Sequence, residues 1–451
     1  MKDKNPSLKS TQRSRVLKLA AALIEEHYLC DSCLGRQFAN LAYGTSNAER
    51  GRALKGALTL EAHSMLAEGN PRAENLLRNL ASHGMFNMAR GTLLKICITV
   101  DSSEHPPCEL CQGKLQEVEK LADKALKAVR GYQFKKFLVG AKIPEEVVER
   151  EDSLRAAFKV EWGEAIKGEF TREIGKVIAM KTGKAVEYKN PEVTITVNPY
   201  EERVNFQVTP IFLESRYRKI VIGIPQTRWL CQKCRGKGCE LCNGTGKKYP
   251  ESVQEIIAGP ILKASHGVDT NFHAGGREDI DAKVLGSGRP FVIEVKIPKK
   301  RSFKLEKVME AINRSGKVEV GTLSFVDRAA VRMVKEEERA EKTYQTVVES
   351  EKRVTKKELA DIEDAFTAAV IQQSTPQRVL HRRADKVRIR HVYAVKIKRL
   401  SAKRFELTLR CQGGLYVKEL VNGDKGRTTP NMADFLKKKV KCVTLSVLDI
   451  K

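Results

Sequence analysis

Between His273 and Phe291 the chain reads HAGGREDIDAKVLGSGRPF, which gathers Glu278, Asp279 and Asp281 among Arg277, Lys283 and Arg289. Glycines at 275, 276, 286 and 288 allow the backbone to come close to a ligand. A carboxylate beside a fixed cation stays ionised, and an ionised carboxylate can serve as nucleophile or base. Loops of this composition are also common as plain structure, so a functional reading needs support from elsewhere in the chain.

Two chemistries fit these acids. In the first, Asp281 followed by Glu294-x-Lys296 resembles the metal-binding pattern of many nucleases, with two carboxylates holding magnesium and the lysine polarising a water. In the second, a single aspartate is the nucleophile or base, held ionised by a basic neighbour. The chain has no P-loop and no dinucleotide fingerprint, so no nucleotide cofactor is expected.

The cysteines point to metal. Cys231-x2-Cys234 and Cys239-x2-Cys242 are separated by four residues and surrounded by glycines, the pattern of two knuckles aiming four thiolates at one tetrahedral zinc. Such a closed site has no open position and is structural rather than catalytic. Cys30-x2-Cys33 and Cys108-x2-Cys111 stand 74 residues apart and together make a second complete set. Two structural zinc ions are therefore expected. Cys97, Cys411 and Cys442 have no partner spacing and read as core residues.

The rest of the chain must position these groups on a polyanion. Lys plus Arg outnumber Asp plus Glu by 82 to 56, a net charge of +26, which is the footprint of a nucleic-acid partner. Between Ser374 and Arg410 twelve basic residues face two acids, interleaved with strand-forming Val and Ile, and we read this as an RNA-facing surface. The early apolar run Leu19–Ile24 is too short for a signal core or a membrane span, so a soluble cytoplasmic protein is expected.

The length of 451 residues suits two to four domains. Residues 1–29 read as a basic helix, residues 34–95 as short helices broken at glycines, and 117–129 as a charged helix. From Glu151 to Lys181 apolar residues step by four, including Trp162 and Phe170, which predicts one long amphipathic helix. The period then changes to two at Val193–Val197 and Val204–Val208, predicting strands. Further strands are expected at 291–297, 318–325, 391–398 and 405–409, and residues 329–371 read as two charged helices.

GGREDIDAKVLGSGRPF, together with EKTYQTV (341–347), GGLYVKELVNGDKGRTTP (413–430) and CVTLSVLDI (442–450), resembles the pseudouridine synthases. It closely resembles the archaeal members of the tenth family of those enzymes. LCDSCLGRQFA (29–39), RYRK (216–219) and IPQTRW (224–229) are similar to that family as well. The resemblance implies an α+β protein. Residues 1–225 would form a zinc-containing accessory region with a THUMP domain at about 80–215, residues 226–250 a zinc-knuckle insert, and residues 251–451 a catalytic domain on a bent, mixed sheet flanked by helices. It implies a substrate of tRNA, at uridines 54 and 55 of the T-arm; no cofactor for catalysis is expected, and a monomer is expected.

Residue roles implied by the resemblance fall on Asp279 as catalytic aspartate, with Asp281 and Glu278 ranked behind it. Tyr344 would stack on the target base. Tyr416 and Lys418 match the tyrosine and basic residue of the third motif, and Leu445 the apolar residue near the end. A uridine must leave its stack to be reached; the aspartate then attacks at the sugar C1′ or at the base, and Arg277 and Arg289 hold phosphates. Two other readings stay open: a metal-dependent nuclease using Asp281, Glu294 and Lys296, and a zinc-stabilised tRNA-binding protein without catalysis.

Overall fold

A computed structural model of the chain describes residues 14–99, 106–336 and 340–451. The expected helix at 1–29 is present as Arg15–Glu26, which buries Ala20, Leu23 and Ile24; residues 1–13 of that expectation lie outside the described residues. The chain divides into two units between Val208 and Thr209.

In the first unit, helices precede and cover a four-stranded sheet. The region expected to hold short helices broken at glycines contains one helix of 21 residues, Asn47–Ala67, started by a capping box between Ser46 and Glu49. Gly51 lies inside this helix because a helix Asp31–Arg36 crosses it: a Cβ at Gly51 would meet the Asp31 carbonyl at 1.9 Å, and one at Gly35 the Asn47 carbonyl at 1.9 Å. Here glycine permits close approach of two helices, where the sequence reading took it for a break. The charged helix Val118–Ala128 leads to the strands Lys136–Ala141, Ala185–Val186, Val193–Asn198 and Arg203–Val208. The first three pair in parallel and the last is antiparallel to Val193–Asn198.

The long helix expected over 151–181 is two helices, Glu145–Phe158 and Ile166–Thr182. Lys159 turns left-handed at φ 51° and ends the first. Trp162 sits in the connection, stacked near Phe38 with ring centroids 6.4 Å apart and with the Arg15 guanidinium 4.9 Å from its centre. The step of four survived the break because Leu154, Phe170, Ile174 and Ile178 all face one core.

The second unit is built on a mixed sheet of eleven strands among the described residues. Ile211–Lys219, the strand carrying RYRK, hydrogen-bonds within this sheet, antiparallel to Ala282–Lys296. The division between units accordingly precedes the boundary at 225 read from the sequence. Residues 329–371 hold the helices Ala330–Glu336 and Lys356–Phe366, but also the strand Lys342–Ser350 between them, which the sequence reading missed. Its period-two burial is masked in the sequence by the charged residues on either side.

Lys342–Ser350 runs antiparallel to both Arg404–Cys411 and Val440–Ile450. Val440–Ile450 in turn pairs in parallel with Ala282–Lys296, with Leu445 opposite Ala282. That parallel pairing joins the two halves of the sheet and brings the end of the acidic loop beside Tyr344, which packs against the hydrophobic clusters of both halves.

Candidate active site and metal centres

The loop between the strands Asp269–Ala274 and Ala282–Lys296 is held from below by residues of the RYRK strand. Tyr217 and Lys219 alternate inward on that strand, and both are fully buried. The Tyr217 hydroxyl donates to the Glu278 carboxylate at 2.8 Å, and the Gln226 amide donates to the Tyr217 oxygen at 2.8 Å. Arg289 Nε lies 3.0 Å from Glu278 Oε2, and its Nη1 donates to the Gly275 carbonyl at 2.6 Å. Lys219 Nζ donates to the backbone carbonyls of Asp279 at 3.1 Å, Ile280 at 3.3 Å and Ile224 at 3.1 Å. Burial lowers the Lys219 pKa, with the nearby Glu278 charge opposing that shift.

With Glu278 turned inward as an anchor, Asp279 turns the other way into a cavity of about 610 Å³. That volume falls within the roughly 300–1,000 Å³ range of small-ligand sites. Tyr344, Tyr416, Lys418 and Leu445 line the same cavity, as do Arg277 and Asp281. Four arginines of the basic stretch, Arg378, Arg383, Arg388 and Arg390, form part of its wall. A second cavity of about 540 Å³, beside Arg216 and Ser287, contains none of these residues.

Arg378 is the residue the sequence reading missed. It sits on a short 3-10 helix, Gln377–Arg382, and its Nη1 is 3.0 Å from Asp279 Oδ1 and 2.9 Å from Oδ2. Its Nε donates to the buried Glu419 at 2.7 Å. No spacing rule marks it out; membership in the basic 374–410 stretch was the only signal. Lys418 Nζ reaches Asp279 Oδ2 at 3.4 Å but is closer to Asp281, at 2.7 Å from both carboxylate oxygens. Burial opposes ionisation of Asp279, yet Arg378 and then Lys418 outweigh it and hold the carboxyl below its usual range. Burial pushes the Tyr344 hydroxyl up, so it is neutral at physiological pH.

Arg289 also lines this cavity. Its side chain is 2% exposed and is engaged by Glu278 and Gly275, so it supports the acidic loop from within. Arg277 is exposed, with its guanidinium 4.9 Å from the centre of the Trp229 ring. The nuclease trio is not brought together: Asp281 pairs with Lys418, Glu294 accepts from Asn271 at 2.8 Å, and Lys296 donates to Asp269 at 3.0 Å.

Both cysteine sets converge. Within each, the four Sγ atoms lie within 4.8 Å of one another. A tetrahedral ion with thiolate arms of about 2.3 Å requires sulfur–sulfur edges of about 3.8 Å. Cys30 and Cys111 are 3.7 Å apart; Cys231–Cys239 and Cys234–Cys242 are 3.8 Å, and Cys239–Cys242 is 3.7 Å. Either set could hold one metal ion. In the first, the buried Arg36 guanidinium donates to Cys33 Sγ at 3.4 Å, to Glu151 at 2.9 Å and to Glu169 at 2.7 Å. In the second, backbone N–H groups of Gly238, Cys239 and Gly246 donate to sulfur, each at 3.2 Å. Of the three cysteines read as core, Cys411 is buried, Cys442 is half-buried and Cys97 is exposed.

Residues 212–451 match the family model described as Pus10, C-terminal, and residues 121–198 that of the Pus10 THUMP domain, archaeal. The chain is 44% identical to the tRNA pseudouridine synthase Pus10 of Methanocaldococcus jannaschii, over 95% of this chain and 93% of that one. It is 41% identical to that of Methanothrix thermoacetophila, over 97% and 95%. Among solved structures, a chain of a Cbf5-Nop10-Gar1 complex aligns at 16% identity and a TM-score of 0.29, covering 43% of this chain and 44% of that one. Among the described residues no helix is long and apolar enough to cross a membrane.

Proposed function

The chain belongs to the Pus10 family and is a tRNA pseudouridine synthase, an isomerase; from that premise we propose that it converts uridines 54 and 55 of the T-arm, with Asp279 as nucleophile. The observation that carries this reading is the convergence of Asp279, Tyr344, Tyr416, Lys418 and Leu445 on one cavity walled by arginines.

A uridine turned out of the T-loop enters this cavity. Tyr344 stacks on its base, and Leu445 gives that base an apolar support. Asp279 attacks the nucleoside as the anion that Arg378 and Lys418 maintain. The N1–C1′ bond breaks, the uracil rotates, a C5–C1′ bond forms, and the bond to Asp279 breaks, which returns the free carboxylate. The proton lost from C5 is balanced by one gained at N1, so the product is an isomer and no cofactor is consumed. Tyr416, whose hydroxyl accepts from Arg383 at 3.0 Å, borders the entry. Arg277 and the basic stretch 374–410 hold backbone phosphates, and the THUMP-bearing accessory region holds the tRNA body.

Each four-cysteine set binds one structural zinc, since all-thiolate tetrahedral sites suit that ion and leave no position open for chemistry.

The test is site-resolved pseudouridine mapping on an unmodified tRNA transcript, with EDTA in one arm and magnesium in the other. Product at 54 and 55 in both arms is expected. Product confined to the anticodon arm would overturn the T-arm assignment, and magnesium-dependent cleavage would favour the nuclease. Asp279→Asn should lower the rate by about three or more powers of ten while tRNA still binds; a variant retaining more than that would exclude a nucleophilic aspartate.

A further inference from the structure

The cysteine knuckle at 226–250 lies in the same unit as the catalytic cavity, and its first leg carries Trp229 into the cavity wall. Its two legs are paired at the base: Lys248 N donates to the Trp229 carbonyl at 2.9 Å, and Leu230 bridges to Lys247. The return leg supplies two more neighbours of the indole, Tyr249 edge-on with centroids 5.5 Å apart and Lys248 Nζ 5.5 Å from the ring centre. From the acidic loop, two residues before Asp279, the Arg277 guanidinium lies 4.9 Å from the same centre. The indole is thus only half-buried, at the cavity wall, and flanked by two cations. This chain has two tryptophans, and the other, Trp162, lies in the first unit.

We propose that the cysteine knuckle is a substrate-binding element: Trp229 fixes the plane of Arg277 so that its guanidinium grips the phosphodiester of the nucleotide flanking the target uridine. Stacking on an aromatic face fixes an arginine's orientation while its N–H edges remain able to make paired hydrogen bonds to phosphate oxygens. The knuckle's metal acts on catalysis only through this placement. The proposal rests on the tRNA pseudouridine synthase reading and adds the residues that register the RNA backbone against Asp279.

The test exploits the tryptophan count. In a Trp162→Phe protein, Trp229 is the sole indole, and its emission should change on titration with unmodified tRNA. The change should saturate at the concentration at which filter retention reports binding. Trp229→Ala and Arg277→Met should each raise KM about tenfold, the loss of one charge-assisted contact, with kcat falling much less. Trp229→Phe should restore most of the affinity. Emission unmoved while filter retention shows binding, or a Trp229→Ala enzyme with altered melting temperature but unaltered KM, would overturn the proposal and leave the enzyme assignment standing. Absence of pseudouridine with the unsubstituted protein would instead remove the assignment itself.

Discussion

Arg36 and Arg378 each bridge two carboxylates, and they do different work. Arg36 is sealed: its side chain is 0% exposed and its partners Glu151 and Glu169 are 3% and 4% exposed. Arg378 is sealed at one end only, by Glu419 at 4%, while its other partner, Asp279, is 29% exposed in the cavity. A guanidinium closed on both sides holds chain segments together, here the helix Asp31–Arg36, which carries Cys33, and two later helices. One left open on a reachable side sets the charge state of its partner. The same chemistry becomes structure or reactivity according to what water and substrate can reach.

The largest expected effect falls on the sealed cluster. Stripping metal from the Cys30/Cys33/Cys108/Cys111 set should unfold the first unit, because binding free energies of about 10–16 kcal/mol at structural zinc sites are folding free energy. Far-ultraviolet circular dichroism, read against metal content, checks this; an apo protein with native dichroism would break the comparison. Arg36→Met should cost about 3–5 kcal/mol, since it leaves the buried Glu169 without its cation and Glu151 with Arg155 alone, 3.2 Å away. Burial already raises the Glu169 pKa against the pull of Arg36. In the variant it rises further, the folded state binds more protons than the unfolded, and stability falls as pH rises above the carboxylate range. Denaturant melts at acid and neutral pH should show the larger deficit at neutral pH.

On the open side the readout is a pH profile. Arg378→Met, made with Glu419→Gln so that no buried carboxylate is orphaned, should move the acid limb of kcat/KM to higher pH, because the Asp279 carboxyl loses the nearer of its two cations. Lys418→Met should move it in the same direction by less, as Lys418 stands at 3.4 Å and is shared with Asp281. A larger shift from Lys418 would reverse the ranking. The smallest effect is expected at the knuckle. Cys239→Ser should shift Tm by no more than about 2–4 °C, since that site closes over a short local segment, while KM rises.

The cysteine quartets were legible in the sequence because tight spacing or a matching pair of CxxC halves encodes them directly. The acidic loop and Tyr344, Tyr416, Lys418 and Leu445 could be singled out by family motifs. What was illegible followed from distance. Arg378 reaches Asp279 across 99 residues, and no local pattern announces such a pair. Arg289 follows a glycine in the same loop, but its pairing with Glu278, which Tyr217 pins, could not be read from spacing. The missed strand at 342–350 was hidden by its charged neighbours. The split helix at 159–165 has another cause: apolar spacing reports which side faces a core, and two elements around one core can imitate a single one.

The strand Val440–Ile450 follows every other strand of the catalytic sheet in sequence and yet lies between Lys342–Ser350 and Ala282–Lys296. On the ribosome, the two half-sheets emerge first, each with an unpaired edge where this strand will lie. Neither can pair with the other until Val440–Ile450 is available, and the wall between Leu445 and the acidic loop does not exist before then. The site therefore stays incomplete until residues 440–450 have been made, and the open edges are exposed to mispairing for the whole interval.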